Sequence, residues 1–310
     1  MAVKGIYRAG LASLRVLNLE ESIVHYRDRV GLDYVGEFNG GAMLKGYDEF
    51  DHHSVYLHEA DAPGLDYMCF KADSEEYVDY VIERTAADFG WPVTIYEAGE
   101  LQPGFGRVAM FDMPTGHKIG IYATVEQSQI APMVNNPQIW REEPHGMGVT
   151  HFDHALLYGP NQAEAVKWFL DVLEFKITEI LYKEGDEEHL CTWMTTSTRG
   201  HDIALLDFPE PGVLHHISFH LPDWNAIGHA AYIMGRYGIQ FDTNPMRHGI
   251  TRGQTIYFFD PSGNRNEVFA GGYEFMPDMP IRVWDSDHAG EGVFYYDKVL
   301  NDRFLSVYTK

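Results

Sequence analysis

Cysteine is scarce in this sequence, with only Cys69 and Cys191 among 310 residues. Two cysteines can form at most one bridge, which excludes a fold held together by several disulfides. Apolar residues make up 45% of the chain and can supply a core without such bridges. The sequence also begins without an apolar segment followed by a small-residue cleavage site. Both features predict a protein of the reducing cytoplasm.

Long hydrophobic runs and positive charge are also in short supply. No apolar stretch approaches the roughly 20 residues that a membrane-spanning helix requires. Lysine and arginine together number 23 against 46 acidic residues, which gives a formal net charge of −23. Nucleic acids and anionic membranes attract basic surfaces, so neither is predicted as a partner. We expect small molecules, or further copies of the chain, instead.

An internal repeat organises the sequence. Residues 11–32 align with residues 154–175 without a gap, and each copy reads as a short apolar strand followed by a helix. Asn18 and Asn161 stand at matching places, each with a glutamate three residues later, which is typical of a helix N-cap. Gly31 follows the first helix as a predicted C-cap.

Two further pairs of segments extend the repeat. Residues 66–93 and 215–241 each predict a strand, a turn, a helix and a new strand. Residues 107–123 and 255–271 each predict a hairpin with proline and glycine in its turn. Each half of the chain therefore contains two units made of a strand, a helix and further strands.

The halves meet in a polar segment that contains proline and glycine and shows no clear periodicity. We predict an N-terminal domain over residues 1–135, a connector over residues 136–149 and a C-terminal domain with its tail over residues 150–310. A chain of 310 residues has enough material for one large domain or for two of about 150 residues each.

Three chemically notable groups occur in the second half only. A residue needed only for folding tends to recur in both copies, so a group confined to one copy indicates chemistry. The pairs of aligned residues are His154 with Leu11, His216 with Tyr67, and Glu267 with Gly120. Two imidazoles and one carboxylate form a facial triad, which holds one face of a metal and leaves positions open for substrate and O2. These ligands suit iron or manganese, and zinc also binds them.

The sequence pattern alone does not decide which of two adjacent histidines is the second histidine ligand. Alternate side chains on a strand share a face, so only one of His215 and His216 faces the metal, and Asp153 points away from it. With 16 histidines in the chain, a single one on a strand is more often an ordinary core or surface residue. The confinement of all three groups to one half is what favours a metal site.

The sequence resembles the type I extradiol dioxygenases of the vicinal oxygen chelate superfamily, and most of all their catechol-cleaving members. The segments that carry the resemblance are HFDHALLYG (151–159), LHHISFHL (214–221) and TRGQTIYFFDPSGNRNEVF (251–269). It extends from about Arg8 to Leu305. The resemblance implies metal ligands at His154, His216 and Glu267, and so selects His216 from the histidine pair.

The resemblance also implies a fold, a reaction and an assembly. The fold is α+β, with two domains, each a tandem pair of βαβββ modules whose strands curl around a cavity. The reaction inserts both atoms of O2 into catechol, or a methyl or chloro catechol, and opens the ring beside the diol to give a 2-hydroxymuconic semialdehyde. The implied cofactor is Fe(II), with Mn(II) as the second choice, the N-terminal domain is metal-free, and the assembly is a homotetramer.

Three further side chains receive roles from the same resemblance. His201 is the acid–base candidate, because imidazole exchanges protons near neutral pH. His248 and Tyr257 would hydrogen-bond the substrate oxygens and fix the one that carries charge. Without the resemblance, His201 reads as a strand cap and Tyr257 as a core tyrosine.

Four apolar residues are implied to line the pocket for the aromatic ring, namely Trp193, Leu206, Ile250 and Phe304. An apolar pocket suits the uncharged ring of a catechol. Ordinary core packing would account for the same four residues.

Two other functions are compatible with this fold, because a fold does not define the chemistry. A glyoxalase-like isomerase would prefer zinc or nickel and a fourth protein ligand, whereas only three candidates stand out. A metal-free, drug-sequestering protein would not need two histidines and a glutamate confined to one half. Metal analysis separates these alternatives from the dioxygenase that we predict.

Overall fold

The computed structural model describes residues 5–310 and contains one mixed β-sheet from each half of the chain. Residues 1–4, which begin the predicted N-terminal domain, lie outside the described residues. The elements of the first half are β1 (Ile6–Val16), α1 (Leu19–Ile23) continued by a π-helix (Val24–Val30), β2 (Asp33–Phe38), β3 (Gly41–Lys45), β4 (Val55–Glu59), β5 (Gly64–Ala72), α2 (Glu75–Asp88), β6 (Val93–Tyr96), β7 (Val108–Asp112) and β8 (Lys118–Tyr122).

The second half repeats this series and adds a C-terminal segment. Its elements are β9 (Phe152–Gly159), α3 (Gln162–Asp171), β10 (Lys176–Tyr182), β11 (His189–Thr195), β12 (Ile203–Asp207), β13 (Val213–His220), α4 (Trp224–Tyr237), β14 (Met246–Arg247), β15 (Gly253–Phe259), β16 (Arg265–Gly271), β17 (Arg282–Trp284), a 3₁₀ turn (Ser286–His288), α5 (Ala289–Val293) and α6 (Asp302–Ser306). Within residues 5–310, every helix is too short or too polar to cross a bilayer.

The two sheets have the same strand order, which confirms the repeat. The first runs β2-β3-β4-β1-β5-β8-β7-β6, and the second runs β10-β11-β12-β9-β13-β16-β15-β14 with β17 added beside β10. Each sheet is therefore a pair of βαβββ modules whose first strands pair antiparallel at its centre. The predicted α+β fold, with two such modules in each of two domains, is confirmed. The predicted domain boundaries stay a prediction, although the chain between β8 and β9 forms only turns and isolated bridges.

The ends of the helices show where local sequence rules hold and where they fail. Asn18 Oδ1 accepts a hydrogen bond from Glu21 N–H at 3.0 Å, and Gly31 ends the first helical segment at a φ of 93°, so both predicted caps are confirmed. Asn161 also occupies the predicted N-cap position, directly before α3, but its side chain does not form the expected bond. Its backbone is left-handed at a φ of 54°, and its side chain makes no capping hydrogen bond. Its Nδ2 reaches the Pro114 carbonyl at 3.5 Å instead.

One hydrophobic core joins the two halves. It contains Phe70 and Phe111 from the first half together with Trp168 and Phe169 from α3. Trp168 Nε1 also donates a hydrogen bond to Thr85 Oγ1 at 2.7 Å, where α2 and α3 meet. Because the core contacts between the halves are apolar and buried, they hold the second sheet against the first.

His117, which has no assigned role in the sequence, connects the two halves on the other side. Its Nε2 donates to the Val213 carbonyl at 3.0 Å, and its Nδ1 accepts from Thr115 Oγ1 at 3.0 Å. Burial lowers the pKa of His117 to about 4, and the hydrogen bond to Val213 offsets only part of that effect. The first half therefore holds the beginning of β13 with a neutral imidazole.

This contact predicts an acid-sensitive contribution to stability. As the pH falls, the unfolded chain protonates His117 near pH 6.5, whereas the folded protein does so only near pH 4. Its contribution is therefore complete above pH 6.5 and is lost towards pH 4. His117→Gln keeps a donor for Val213 but cannot titrate. Over this window we expect the free energy of unfolding to fall less steeply in the variant, by about 1.4 kcal/mol per pH unit.

Urea unfolding of both proteins at a series of pH values measures this difference. His229→Gln, on α4, is the control because that histidine is exposed, and we expect its curve to parallel the wild type. Equal slopes for wild type and His117→Gln would contradict the assignment.

Candidate active site

Three neighbouring strands bring the predicted metal ligands together. β9 pairs with β13 so that His154 faces Ser218, and β13 pairs with β16 so that Ser218 faces Glu267. His216 lies two residues before Ser218 and so shares its face of the sheet. All three side chains are buried, and their ligand atoms lie within 4.8 Å of one another.

The three ligand atoms converge without satisfying one another. Glu267 Oε2 is 2.8 Å from His154 Nε2 and 3.3 Å from His216 Nε2. Despite these distances, Glu267 Oε2 and His216 Nε2 have no partner with hydrogen-bond geometry. Unsatisfied buried polar atoms are rare and call for an explanation. A divalent metal ion between the three atoms would satisfy all of them, so this donor set fits a metal.

The charges of the cluster are coupled. Burial alone would raise the pKa of the Glu267 carboxyl, but His154, His216 and His248 together outweigh burial and hold that pKa well below its usual range. Burial would lower the pKa of His154, but Glu267 and Asp153 raise it to about 9. A proton on His154 therefore balances the carboxylate in the protein alone, and a bound metal would take the place of that proton.

Hydrogen bonds on the far side of the ligands fix their orientation. Asp153 Oδ2 accepts from His154 Nδ1 at 2.7 Å, which leaves His154 Nε2 free to bind a metal. Burial would raise the pKa of Asp153, but the ion pair with Arg199 and the hydrogen bonds from His151 and His154 together outweigh burial and keep that pKa well below its usual range. Thr255 Oγ1 donates to Glu267 Oε1 at 2.5 Å, so the other carboxylate oxygen faces the histidines. Neither supporting role was predicted from the sequence, although Asp153 directly precedes a predicted ligand.

His201 lies beside the triad. Its ring centroid is 3.9 Å from that of His154. Burial, together with the nearby charge of His154, lowers the pKa of His201 well below its usual range. The ring is therefore neutral, and one of its two nitrogens carries a lone pair.

His248 and Tyr257 form a second polar pair at the triad. His248 Nδ1 lies 2.6 Å from the Val293 carbonyl, which can only accept, so this nitrogen carries the hydrogen. His248 Nε2 then accepts from the Tyr257 hydroxyl at 3.0 Å. Burial and the charge of Glu267 raise the pKa of Tyr257 well above its usual range, so its hydroxyl stays protonated.

These groups border one cavity of about 270 Å³. The structure places every site residue predicted from the sequence around it, including Trp193, Leu206, Ile250 and Phe304. Within residues 5–310, no lysine or arginine borders this cavity. The wall also contains apolar residues that were not predicted from the sequence, including Leu156, Leu181, Phe269, Val293, Leu300 and Leu305. The last three follow β17, beyond the repeat, where no periodic pattern marked them.

The corresponding place in the first half is filled with side chains. Leu11 faces Cys69, and Cys69 faces Gly120, in the same register that joins the three ligand strands of the second half. Leu11 and Cys69 pack in a cluster with Met110 and Tyr122. A Cβ at Gly120 would lie 2.5 Å from Cys69 Sγ, so a glutamate has no room there.

Comparison with known proteins agrees with this geometry. Residues 151–268 match the Glyoxalase/Bleomycin resistance protein/Dioxygenase superfamily, and residues 65–126 match the catechol 2,3-dioxygenase-like N-terminal domain. The chain is 40% identical over 309 residues to metapyrocatechase from Pseudomonas sp. (strain CF600), covering 99% of each protein. It is 30% identical to manganese-dependent 2,3-dihydroxybiphenyl 1,2-dioxygenase from Geobacillus genomosp. 3, covering 94% of each.

Solved structures extend the likeness to three dimensions. The 2,3-dioxygenase LapB from Pseudomonas sp. KL28 matches with a TM-score of 0.88 at 39% identity, over 92% of this chain and 99% of that one. A homoprotocatechuate 2,3-dioxygenase variant from Brevibacterium fuscum, at 23% identity, shares the fold with a TM-score of 0.87, over 100% of this chain and 84% of that one. This chain belongs to the extradiol dioxygenase family that includes metapyrocatechase, the catechol 2,3-dioxygenase.

Proposed function

We propose that this protein cleaves catechol, and catechols with apolar substituents, beside the diol, using Fe(II) held by His154, His216 and Glu267. Both atoms of O2 enter the product, a 2-hydroxymuconic semialdehyde. The observation that carries the proposal is a triad of buried, converging ligand atoms at the wall of an apolar cavity. The similarity to metapyrocatechase over nearly the whole chain supports catechol as the substrate.

The donor set supports Fe(II), and Mn(II) suits the same ligands. One relative is named as manganese-dependent, so the identity of the metal needs its own test. When bound, the metal supplies adjacent open positions at which the catechol oxygens and O2 are held together. The protein contributes the three ligands and the groups around those positions.

His201 is the residue to which we assign proton transfer. Its neutral ring borders the cavity next to His154, and within residues 5–310 its side chain forms no hydrogen bond that would occupy its nitrogens. A free nitrogen can take the proton that a catechol loses on binding and return it to the oxygen that is reduced.

His248 and Tyr257 would position the substrate. In the protein alone they hydrogen-bond to each other at 3.0 Å, and both border the cavity. A catechol oxygen near this pair can accept from the Tyr257 hydroxyl in place of His248. Because the hydroxyl stays protonated, it stabilises a negative charge on that oxygen.

The ring itself would lie against the apolar wall that contains Trp193, Leu206, Ile250 and Phe304. These side chains exclude water and accept an uncharged ring with small apolar substituents. No lysine or arginine borders the cavity within the described part of the chain, and the charge at His154 is already paired with Glu267, so a carboxylate on the ring would have no partner of its own.

The assembly that we propose is a homotetramer in the cytoplasm. Ile139 and Val134, in the segment between β8 and β9, are 88% and 66% exposed, which offers an apolar surface to another copy. Cys69 and Cys191 are both buried free thiols, which suits a reducing compartment.

The first prediction concerns the metal. Protein stripped of metal and loaded anaerobically with Fe(II) should consume one O2 per catechol and form the yellow ring-opened product. His216→Ala should lose both signals because one of the three ligands is gone. The control is His229→Ala, which removes an exposed histidine and should behave as wild type. Faster turnover with Mn(II) than with Fe(II) would assign manganese, and no O2 uptake with either would refute the dioxygenase.

The second prediction separates proton transfer from metal binding. His201→Phe should lower kcat by about 100-fold or more, because a positioned acid–base group contributes about 10²–10⁴. Metal affinity should stay within a few-fold, since His201 is not a ligand. Steady-state kinetics and metal titration measure the two effects. Loss of metal binding in this variant would contradict the assigned role.

The third prediction concerns substrate charge. 4-Methylcatechol should be cleaved at a rate close to that of catechol, whereas 3,4-dihydroxybenzoate should show a kcat/KM lower by about 100-fold. Burying an unpaired carboxylate costs several kcal/mol, and within residues 5–310 no lysine or arginine borders the cavity to pair with it. The methyl ester of the same acid is the matched control, because it is larger but neutral. Equal kcat/KM values for acid and ester would show that charge is not discriminated.

A further inference from the structure

His215 connects the ligand His216 to the wall of the cavity. The Nδ1 atoms of the two rings are 2.7 Å apart. On its other side, His215 Nε2 lies 2.8 Å from the backbone carbonyl of Phe304, in α6. His215 is fully buried, and Phe304 also packs its ring against the His215 ring, with centroids 4.8 Å apart. His215, which is not predicted to bind the metal, is therefore held in a fixed position by contacts on both sides of its ring.

The direction of these hydrogen bonds follows from the chemistry of a carbonyl group. The Phe304 carbonyl can only accept, so His215 Nε2 carries the hydrogen. In a neutral ring, Nδ1 then has the lone pair and accepts from His216 Nδ1–H. With its hydrogen on Nδ1, His216 has the lone pair on Nε2, which is the atom 3.3 Å from Glu267 Oε2. The carbonyl thereby selects the tautomer that can bind a metal.

The opposite arrangement requires a charged ring. If His215 carried hydrogens on both nitrogens, His216 Nδ1 would have to accept and Nε2 would carry the hydrogen. Such a cation would be buried next to the guanidinium of Arg265, whose Nη1 donates to the His215 carbonyl at 3.4 Å. Two adjacent buried positive charges repel each other in a medium of low polarity. The neutral His215 is the arrangement that the surroundings stabilise.

We infer that His215 is a positioning residue that fixes the metal-binding tautomer of His216 and couples it to α6. The inference rests on the proposed function, in which His216 binds the metal. It predicts that metal affinity depends on a side chain outside the ligand set and on a carbonyl of the cavity wall. A hydrogen-bonding partner behind a ligating histidine typically changes metal affinity by about 10- to 100-fold.

The test measures Mn(II) binding without relying on turnover. Free Mn(II) gives a six-line electron paramagnetic resonance signal, so its loss reports the dissociation constant of the metal-stripped protein. His215→Phe keeps the ring shape but removes both nitrogens, and we expect its dissociation constant to rise about 10- to 100-fold. His215→Gln supplies one donor and one acceptor, and it should recover most of the affinity.

The first half provides a matched control. His53 is buried, and its Nδ1 lies 2.9 Å from His52 Nδ1, so it forms the same kind of histidine pair away from the triad. His53→Phe should leave Mn(II) affinity unchanged. Unchanged affinity in His215→Phe would overturn the inference, and so would equal weakening in His215→Phe and His215→Gln, since packing would then explain the effect.

A second measurement requires no variant at this position. In wild-type protein loaded with diamagnetic Zn(II), proton–nitrogen correlation spectra of labelled histidines identify which ring nitrogen carries hydrogen. We expect hydrogen on Nε2 of His215 and on Nδ1 of His216, and hydrogen on Nδ1 of His215 would overturn the inference. If wild type fails to bind metal, or His216→Ala binds it equally well, the proposed site itself fails, which is a separate outcome.

Discussion

The site depends on one constraint, which is that a carboxylate buried in an apolar cavity needs positive charge beside it. Glu267 is fully buried, and within residues 5–310 no lysine or arginine borders the cavity. Only histidines approach its free oxygen. The compensating charge must therefore be a proton on His154 or a metal ion. The apolar wall strengthens the attraction of the carboxylate for either one, because charges interact more strongly where water is excluded.

The fold is duplicated, so the first half can stabilise the second half, which contains the buried polar triad. Both sheets have the same strand order, but the centre of the first is filled by Leu11 and Cys69, whereas the centre of the second borders the cavity. A closed core favours stability, and the buried polar triad does not. The first half then holds the second through the core at Trp168 and the hydrogen bond from His117 to Val213.

Most of the fold could be predicted because the repeat shows the same strand and helix pattern twice. The triad could be predicted because it breaks that repeat. The same comparison could not identify His201, since paired strand registers make His53 its counterpart in the first half. His215 could not be assigned a role either, because its partner is the Phe304 carbonyl, and a backbone contact over that separation leaves no trace in residue types. The wall after β17 lies outside the repeat and had no second copy for comparison.

Part of the cavity wall comes from the last residues of the sequence. Val293, Leu300 and Leu305 follow all three ligand strands in the sequence. Synthesis proceeds from the N-terminus, so the strands that carry the ligands leave the ribosome before this wall does. This part of the wall can therefore pack only onto ligand strands that have already been synthesised, so the site is closed by the last residues of the chain to be made.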